Sequence, residues 1–161
     1  MTWFRFLVIL TITIVLHSLL DNFAPRALAR LDLYVILIVY FAMDGQLTRV
    51  IVAGVIAGLT QDAFAGTIFG LHAFALTLTG YLVALLNTKI VLRGAIAFGP
   101  CLAGAVLVNE IVILFLIRLL LSQRIGPVQA GVPYTIVVTS AVGVLAYQIL
   151  ESVSASRSEQ S

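Results

Sequence analysis

Residues 54–80 read GVIAGLTQDAFAGTIFGLHAFALTLTG and hold two apolar runs joined by a turn of small residues. Glycines four apart occur before the turn, at Gly54 and Gly58, and again around it, at Gly66 and Gly70. Between these pairs lies a single acidic residue, Asp62. An acid in such apolar surroundings is costly unless it has a partner. The stretch therefore predicts a helical hairpin that holds its acid by specific contacts.

The composition of the whole chain places this hairpin in a membrane. The 161 residues are 61% hydrophobic and 10% charged, whereas soluble domains are about half apolar and about a quarter charged. Apolar runs of about 20 residues, the length that crosses a bilayer core, recur along the chain. Because backbone amides in lipid must be satisfied within the protein, the spans are helical. The formal net charge of +2 is too small to indicate nucleic acid as a partner.

Six apolar runs predict an all-α fold, a polytopic membrane protein with a six-helix transmembrane bundle. Their ranges are 4–20, 33–43, 47–65, 72–86, 97–121 and 132–150. Charged stretches at 21–32, 87–94 and 122–131 are predicted to be loops, and residues 44–46 give a turn signal. Residues 1–150 are thus expected to form one bundle. The small polar residues 151–161 predict a disordered cytoplasmic tail.

The second run, 33–43, is short for a membrane span. At 1.5 Å per residue it covers about 16 Å, against a hydrocarbon core of roughly 30 Å. It crosses the membrane only if its helix begins near Ala27 and Arg30 extends outward to the interface. The alternative is a re-entrant segment and a chain of five spans. We predict the full span.

The distribution of basic residues predicts the orientation in the membrane. With six spans and the amino terminus inside, both termini are cytoplasmic. The inner segments then carry Arg5, Arg49, Lys89, Arg93 and Arg157. The outer segments carry Arg26, Arg30, Arg118 and Arg124. This small excess agrees with the positive-inside rule.

The glycines of the third run form a stripe of small residues. Gly54, Gly58, Asp62 and Gly66 follow one another at steps of four and share one helical face. A face without large side chains lets a neighbouring helix approach closely. The neighbour is either another helix of the same bundle, which we favour, or a membrane helix of a partner protein.

Asp62 and His72 are expected to lie at similar depth on either side of the hairpin turn. A hydrogen bond between the carboxylate and the imidazole would satisfy an acid that otherwise has to face the bundle interior. We predict that this pair, with Gln61, holds the hairpin together. The functional alternatives are a contact to a substrate or to a partner.

A second polar pair, Asn109-Glu110, lies near the middle of the fifth run, where a carboxylate is most costly. Structural pairing is the favoured interpretation, and a proton or cation relay is the alternative. A relay usually needs a string of acids, and this chain offers Asp62 and Glu110 for one. The lone Cys101 is expected to be a small buried apolar residue.

The sequence does not indicate an enzyme. It contains no Gly-x-Ser-x-Gly elbow for a nucleophile and no glycine loop followed by a lysine for phosphate. The two histidines, His17 and His72, are far apart in the sequence, and no cysteine-histidine cluster indicates zinc. We therefore predict no catalytic residues, no metal and no cofactor.

Residues 58–86 also carry a family resemblance, and they read GLTQDAFAGTIFGLHAFALTLTGYLVALL. The stretch resembles the signature of the rod shape-determining protein MreD family, which has Gly-Leu-x-Gln-Asp, a glycine turn, Gly-Leu-His and Gly-Tyr-Leu. The matching positions are Gly58, Leu59, Gln61, Asp62, Gly66, Gly70, Leu71, His72, Gly80, Tyr81 and Leu82. The run at 33–45 is similar to the second span of the family.

The resemblance implies a non-enzymatic component of the bacterial elongation machinery in the cell inner membrane. Its implied partners are the periplasmic coiled-coil protein MreC, the actin-like MreB, and the glycosyltransferase RodA with its penicillin-binding transpeptidase, besides membrane lipids. The function implied is a scaffold that couples MreC and MreB to peptidoglycan synthesis and so maintains cell shape.

The family fold is similar to that of the substrate-binding subunits of energy-coupling-factor vitamin transporters, which are six-helix bundles. A substrate-binding subunit of a vitamin transporter is therefore the alternative function. Such a subunit would need a pocket with several polar groups at the outer ends of its helices. The sequence has few polar groups there, which favours the scaffold.

Overall fold

The computed structural model describes residues 3–23, 31–43, 46–66, 68–89, 95–121 and 132–158. Within these ranges the chain is all-helical, with six α-helices and no strand. In chain order they are α1 (Trp3–Phe23), α2 (Leu33–Ala42), α3 (Leu47–Ala65), α4 (Leu71–Lys89), α5 (Ala95–Leu121) and α6 (Val132–Ser158). Outside the described ranges lie residues 24–30, 90–94 and 122–131 of the predicted loops, the turn residues 44–45 and the last three residues. Residues 21–23 and 87–89, which were predicted to be loop, belong instead to α1 and α4.

The helices fit the predicted multi-pass membrane bundle. Four of them are long and apolar enough to cross a bilayer, namely α1, α3, α4 and α5. Helix α3 has the predicted bounds, 47–65, because Gly66 ends it in a left-handed conformation with φ of 61°. A glycine in this conformation commonly follows the last helical turn.

The carboxyl-terminal helix differs from the sequence expectation. Helix α6 continues to Ser158, whereas residues 151–161 were predicted to be a disordered tail. No glycine or proline occurs after Gly143, so nothing in the local sequence breaks the helix once it has begun. The small polar residues that suggested disorder are compatible with a continued helix.

The second helix is shorter than the predicted full span. Helix α2 begins at Leu33, not near Ala27, because the side chain of Asp32 caps it: Oδ1 accepts a hydrogen bond from the Val35 N–H at 3.2 Å. An aspartate in this position satisfies one of the amides that a helix start leaves without a partner. The ten residues of α2 cover about 15 Å, about half of a bilayer core.

This short helix is the centre of the bundle. Every residue of α2 except Tyr40 is buried, and α2 contacts α1, α3, α4, α5 and α6. A helix that is apolar on all sides is expected to be enclosed by others. At its end, the Asn87 side chain of α4 donates to the Met43 carbonyl at 2.7 Å. The end of α2 therefore lies level with the Lys89 end of α4, and its start lies deep in the bundle.

The outer surfaces of the bundle are apolar. Large exposed hydrophobic side chains are frequent on α1 and on the second half of α5, and they include Phe4, Ile12, Val15, Ile111, Phe115 and Leu119. On a soluble protein such faces would be patches that require a partner. On a membrane bundle they are the surfaces that contact lipid or other membrane helices.

Truncation of a core ring on α2 should destabilise the bundle far more than truncation of a lipid-facing ring. Phe41 is buried and packs on Phe6, with ring centroids 5.0 Å apart. Phe41→Ala should cost about 3 kcal/mol or more, because it leaves a cavity. Phe115→Ala, at a ring that is 63% exposed, is the control and should cost little. The measurement is the thermal unfolding midpoint in detergent, and equal losses would contradict the central position of α2.

Candidate functional site

The polar site of the hairpin is centred on Asp62, in the last turn of α3. Its side chain is almost completely buried, with 2% of the residue exposed. Four donors surround the carboxylate. Oδ2 accepts from the backbone N–H of Gly70 at 2.8 Å and of Ala73 at 3.3 Å. Oδ1 accepts from the backbone N–H of His72 at 3.0 Å and lies 2.8 Å from the Nδ1 of its ring.

The predicted hydrogen bond between Asp62 and His72 is therefore present, but it is one of four. With its hydrogen on Nδ1, the imidazole donates to the carboxylate, and the ring is itself half-buried. Two of the three backbone donors, His72 and Ala73, lie in the first turn of α4, and the third, Gly70, directly precedes it. A helix leaves its first four N–H groups without partners, and these groups carry a partial positive charge that favours an anion. Asp62 thus caps the helix that follows its own.

The glycine stripe explains how α3 comes close enough to α4 for this contact. A Cβ on Gly54 would lie 2.7 Å from the Thr77 Cα, and a Cβ on Gly58 would lie 2.7 Å from the His72 carbonyl carbon and closer still to the Ala73 Cα. Real Cβ atoms are not found at such distances from backbone atoms. Of the two neighbours considered for this face, α4 of the same chain occupies it at both glycines.

Further predicted site residues of the hairpin lie in its turn or on α4, away from the contact that Gly54 and Gly58 make. Gly66 and Gly70 belong to the turn, where both have positive φ, 61° and 97°, which glycine adopts without strain. Gly80 faces α2 and α3, since a Cβ there would lie 2.7 Å from Ile38 Cγ2 and 2.9 Å from Val50 Cγ1. Tyr81 is exposed on α4.

Gln61 stands apart from the hydrogen bonds that Asp62 makes. It is half-buried, and its Oε1 is buried without a hydrogen-bond partner. The side-chain oxygen of Gln61 therefore does not help to hold the hairpin through a hydrogen bond. The wider prediction for Gln61 stays a prediction.

A second polar cluster lies at the start of α2, and two of its members, Asp32 and Thr139, were not predicted from the sequence. Asp32 Oδ2 accepts a hydrogen bond from Asn109 Nδ2 of α5 at 3.2 Å, and the Asp32 N–H donates to Thr139 Oγ1 of α6 at 3.4 Å. Asn109 is 1% exposed. Glu110, its neighbour, is half-buried. The partner of Asn109 is thus Asp32, and the sequence signal for Asp32 is an aspartate directly before an apolar helix. Structural pairing of Glu110 stays a prediction.

The chemistry available at these two clusters is structural. Both acids, Asp62 and Asp32, accept hydrogen bonds from helix amides and polar side chains. Among the described residues, no group of three or more His, Cys, Asp or Glu side chains could hold a metal ion. The thiol of Cys101 is half-buried on α5. The arrangement fixes helices relative to one another.

Comparison with known families agrees with this architecture. The sequence model for the rod shape-determining protein MreD matches residues 1–152. The chain belongs to the MreD family. No curated protein and no solved structure gives a significant match. Four of the chain's helices are long and apolar enough to cross a membrane. As an MreD family member, the chain is a multi-pass membrane protein with a role in rod-shape determination. The family is not known to contain enzymes.

Loss of the Asp62 carboxylate should destabilise this MreD family member. Asp62→Ala leaves three backbone donors and the His72 ring without their acceptor, and each buried unsatisfied group costs about 1–3 kcal/mol. We expect a loss of at least about 3 kcal/mol on this basis, with Asp62→Asn intermediate because it keeps one acceptor oxygen. The readout is thermal unfolding in detergent. Gln61→Ala is the adjacent control and should unfold near the wild-type temperature. Wild-type stability of Asp62→Ala would refute the capping role.

Two glycine substitutions of the same kind should have opposite effects. Gly58→Ala introduces a methyl group against the α4 backbone, so the two helices must separate. Gly104→Ala meets nothing within 4 Å and gains up to about 1 kcal/mol of helix propensity. We expect the unfolding temperature to fall for Gly58→Ala and to stay or rise for Gly104→Ala. A Gly58→Ala protein as stable as Gly104→Ala would show that the α3–α4 contact is looser than described.

Proposed function

We propose that this chain is a non-enzymatic scaffold in the bacterial cell inner membrane that couples MreC and MreB to peptidoglycan synthesis by RodA and its penicillin-binding transpeptidase. The family match over residues 1–152 carries the proposal. In this proposal both termini are cytoplasmic, as the small excess of basic residues on the inner segments favours.

The hydrogen bonds that the acids Asp62 and Asp32 accept within the protein support a scaffold function. Catalysis or transport would need polar groups that are available to a substrate. Here the carboxylate of Asp62 is engaged by Gly70, His72 and Ala73, and that of Asp32 by Val35 and Asn109. The residues that identify the family thus stabilise a bundle whose outer surfaces carry the contacts.

A scaffold of this kind acts by binding. It stabilises a partner state only as far as it binds that state better than the alternative. The apolar faces of α1 and α5 offer contacts to membrane helices, and such contacts depend on shape and close packing because lipid tails are equally apolar.

The groove between α4 and α5 does not favour the vitamin-transporter alternative. Its volume is about 200 Å³. Its lining is mostly apolar and consists of Thr79, Leu82, Val83, Leu86, Pro100, Cys101, Gly104, Ala105 and Val108. A vitamin site is expected to place several polar groups around its ligand.

Affinity purification of the tagged protein in mild detergent, followed by mass spectrometry, tests the scaffold. We expect MreC and the elongation synthase to copurify with the wild type. Asp62→Ala should lose the complex together with its thermal stability, because the bundle that presents the contact surfaces is damaged.

Gln61→Ala separates stability from partner binding in the same experiment. It should remain folded, so a loss of partners from this variant would assign Gln61 to the interface. Failure of the intact wild type to recover any elongation protein would overturn the scaffold. Recovery of an ATPase module with a bound small molecule would establish a transporter subunit instead.

A further inference from the structure

The turn between α3 and α4 is apolar where a turn in water would be polar. Its large side chains point outward: Phe69 is 70% exposed and Phe64 63% exposed, and Ile68 and Phe74 are exposed as well. This surface, the hairpin tip, consists of Phe64, Ile68, Phe69 and Phe74. It continues the exposed apolar side chains on the flanks of the same two helices, Ile51, Val52, Val55, Tyr81 and Leu82 among them.

The hairpin tip also lacks charge. Between Arg49 and Lys89 the sequence contains one charged residue, Asp62. Its carboxylate is buried and accepts hydrogen bonds from the chain itself. The hairpin tip therefore carries no charged side chain that would complement charged lipid headgroups.

The amides at the start of α4, and the one directly before it, have acceptors within the protein. The amides of Gly70, His72 and Ala73 donate to Asp62, and the Leu71 N–H donates to the Ile68 carbonyl at 3.1 Å. At a helix start in water, solvent can satisfy such groups. In a bilayer no water is available to these groups, so irregular backbone is tolerated there only when the protein supplies its hydrogen-bond partners.

Helix length sets the depth of the hairpin tip. The charged residues at the other end of the hairpin, Arg49 and Lys89, are expected to lie near one membrane interface. From Arg49 to Ala65 the rise is about 24 Å, and from Lys89 to Leu71 it is about 27 Å. Both distances are shorter than the roughly 30 Å core, and any helix tilt shortens them further.

We infer that the hairpin tip lies in the acyl region of the opposite leaflet and that lipid covers it. The Asp62 cap is what makes this position possible, because it replaces water as the acceptor for the start of α4. A partner that contacts this end of the hairpin has to reach it through a membrane-embedded segment, not through a soluble domain.

Tryptophan fluorescence in lipid vesicles tests this position. The chain has one tryptophan, Trp3, so Trp3→Phe gives a background without tryptophan. Phe69→Trp in that background reports the hairpin tip, and Tyr81→Trp, at the exposed middle of α4, is the matched reference for a lipid-facing site. The vesicles contain phosphatidylcholine brominated at a shallow or a deep acyl position, and iodide is the aqueous quencher.

The inference predicts that the shallow-brominated lipid quenches Phe69→Trp strongly and that iodide has little effect on it. Tyr81→Trp should respond more to the deep bromine. Strong quenching of Phe69→Trp by iodide, with none by lipid, would place the hairpin tip in water and overturn the inference. Quenching by neither would overturn it as well, since protein would then cover the hairpin tip. A single gel-filtration peak for each variant confirms that the comparison is made on folded protein.

Discussion

A carboxylate inside a bilayer has to be satisfied by the protein, and so do the first amides of every helix. The α3–α4 hairpin meets both requirements with one residue. Asp62 is buried at the end of α3, and its two oxygens accept from Gly70, directly before α4, and from His72 and Ala73 in the first turn of α4. An unpaired buried acid would destabilise the fold by about 2 kcal/mol or more, and so would helix amides without acceptors. Because the acid and the amides bind each other, one set of hydrogen bonds avoids both costs. The hairpin is therefore a unit whose two helices depend on each other.

The same solution occurs at the centre of the bundle. Asp32 caps α2 and accepts from Asn109 of α5, so a half-length helix can begin deep in the protein. Close packing then fixes these units together. Gly54 and Gly58 bring α3 against the α4 backbone, and Gly80 of α4 leaves room for side chains of α2 and α3. The polar contacts of the bundle thus set where helices begin, and the small residues set how near they lie.

Much of this architecture could be predicted from local sequence. The apolar run and Gly66 defined α3, and the shared depth of Asp62 and His72 predicted their hydrogen bond. The start of α2 had a local signal in Asp32, directly before the apolar run, but the polar stretch around it is typical of a loop. The partners of Asp32 on α5 and α6 had no local signal, because they lie far along the chain. The stripe at Gly54 is compatible with any neighbouring helix, so its partner becomes evident only in three dimensions. The continuation of α6 into small polar residues had no local signal either.

Solid-state NMR in lipid bilayers tests the Asp62 cap most directly. The chain has two histidines, so labelled histidine nitrogens and labelled aspartate carboxyl carbons give a sparse set of dipolar contacts. The account predicts strong short-range recoupling from the carboxyl carbon of Asp62 to both the backbone nitrogen and the Nδ1 of His72. The backbone nitrogen of His17, within α1, is the internal reference. Recoupling for His72 no stronger than for that reference would show that Asp62 does not cap α4, and the central claim would be wrong.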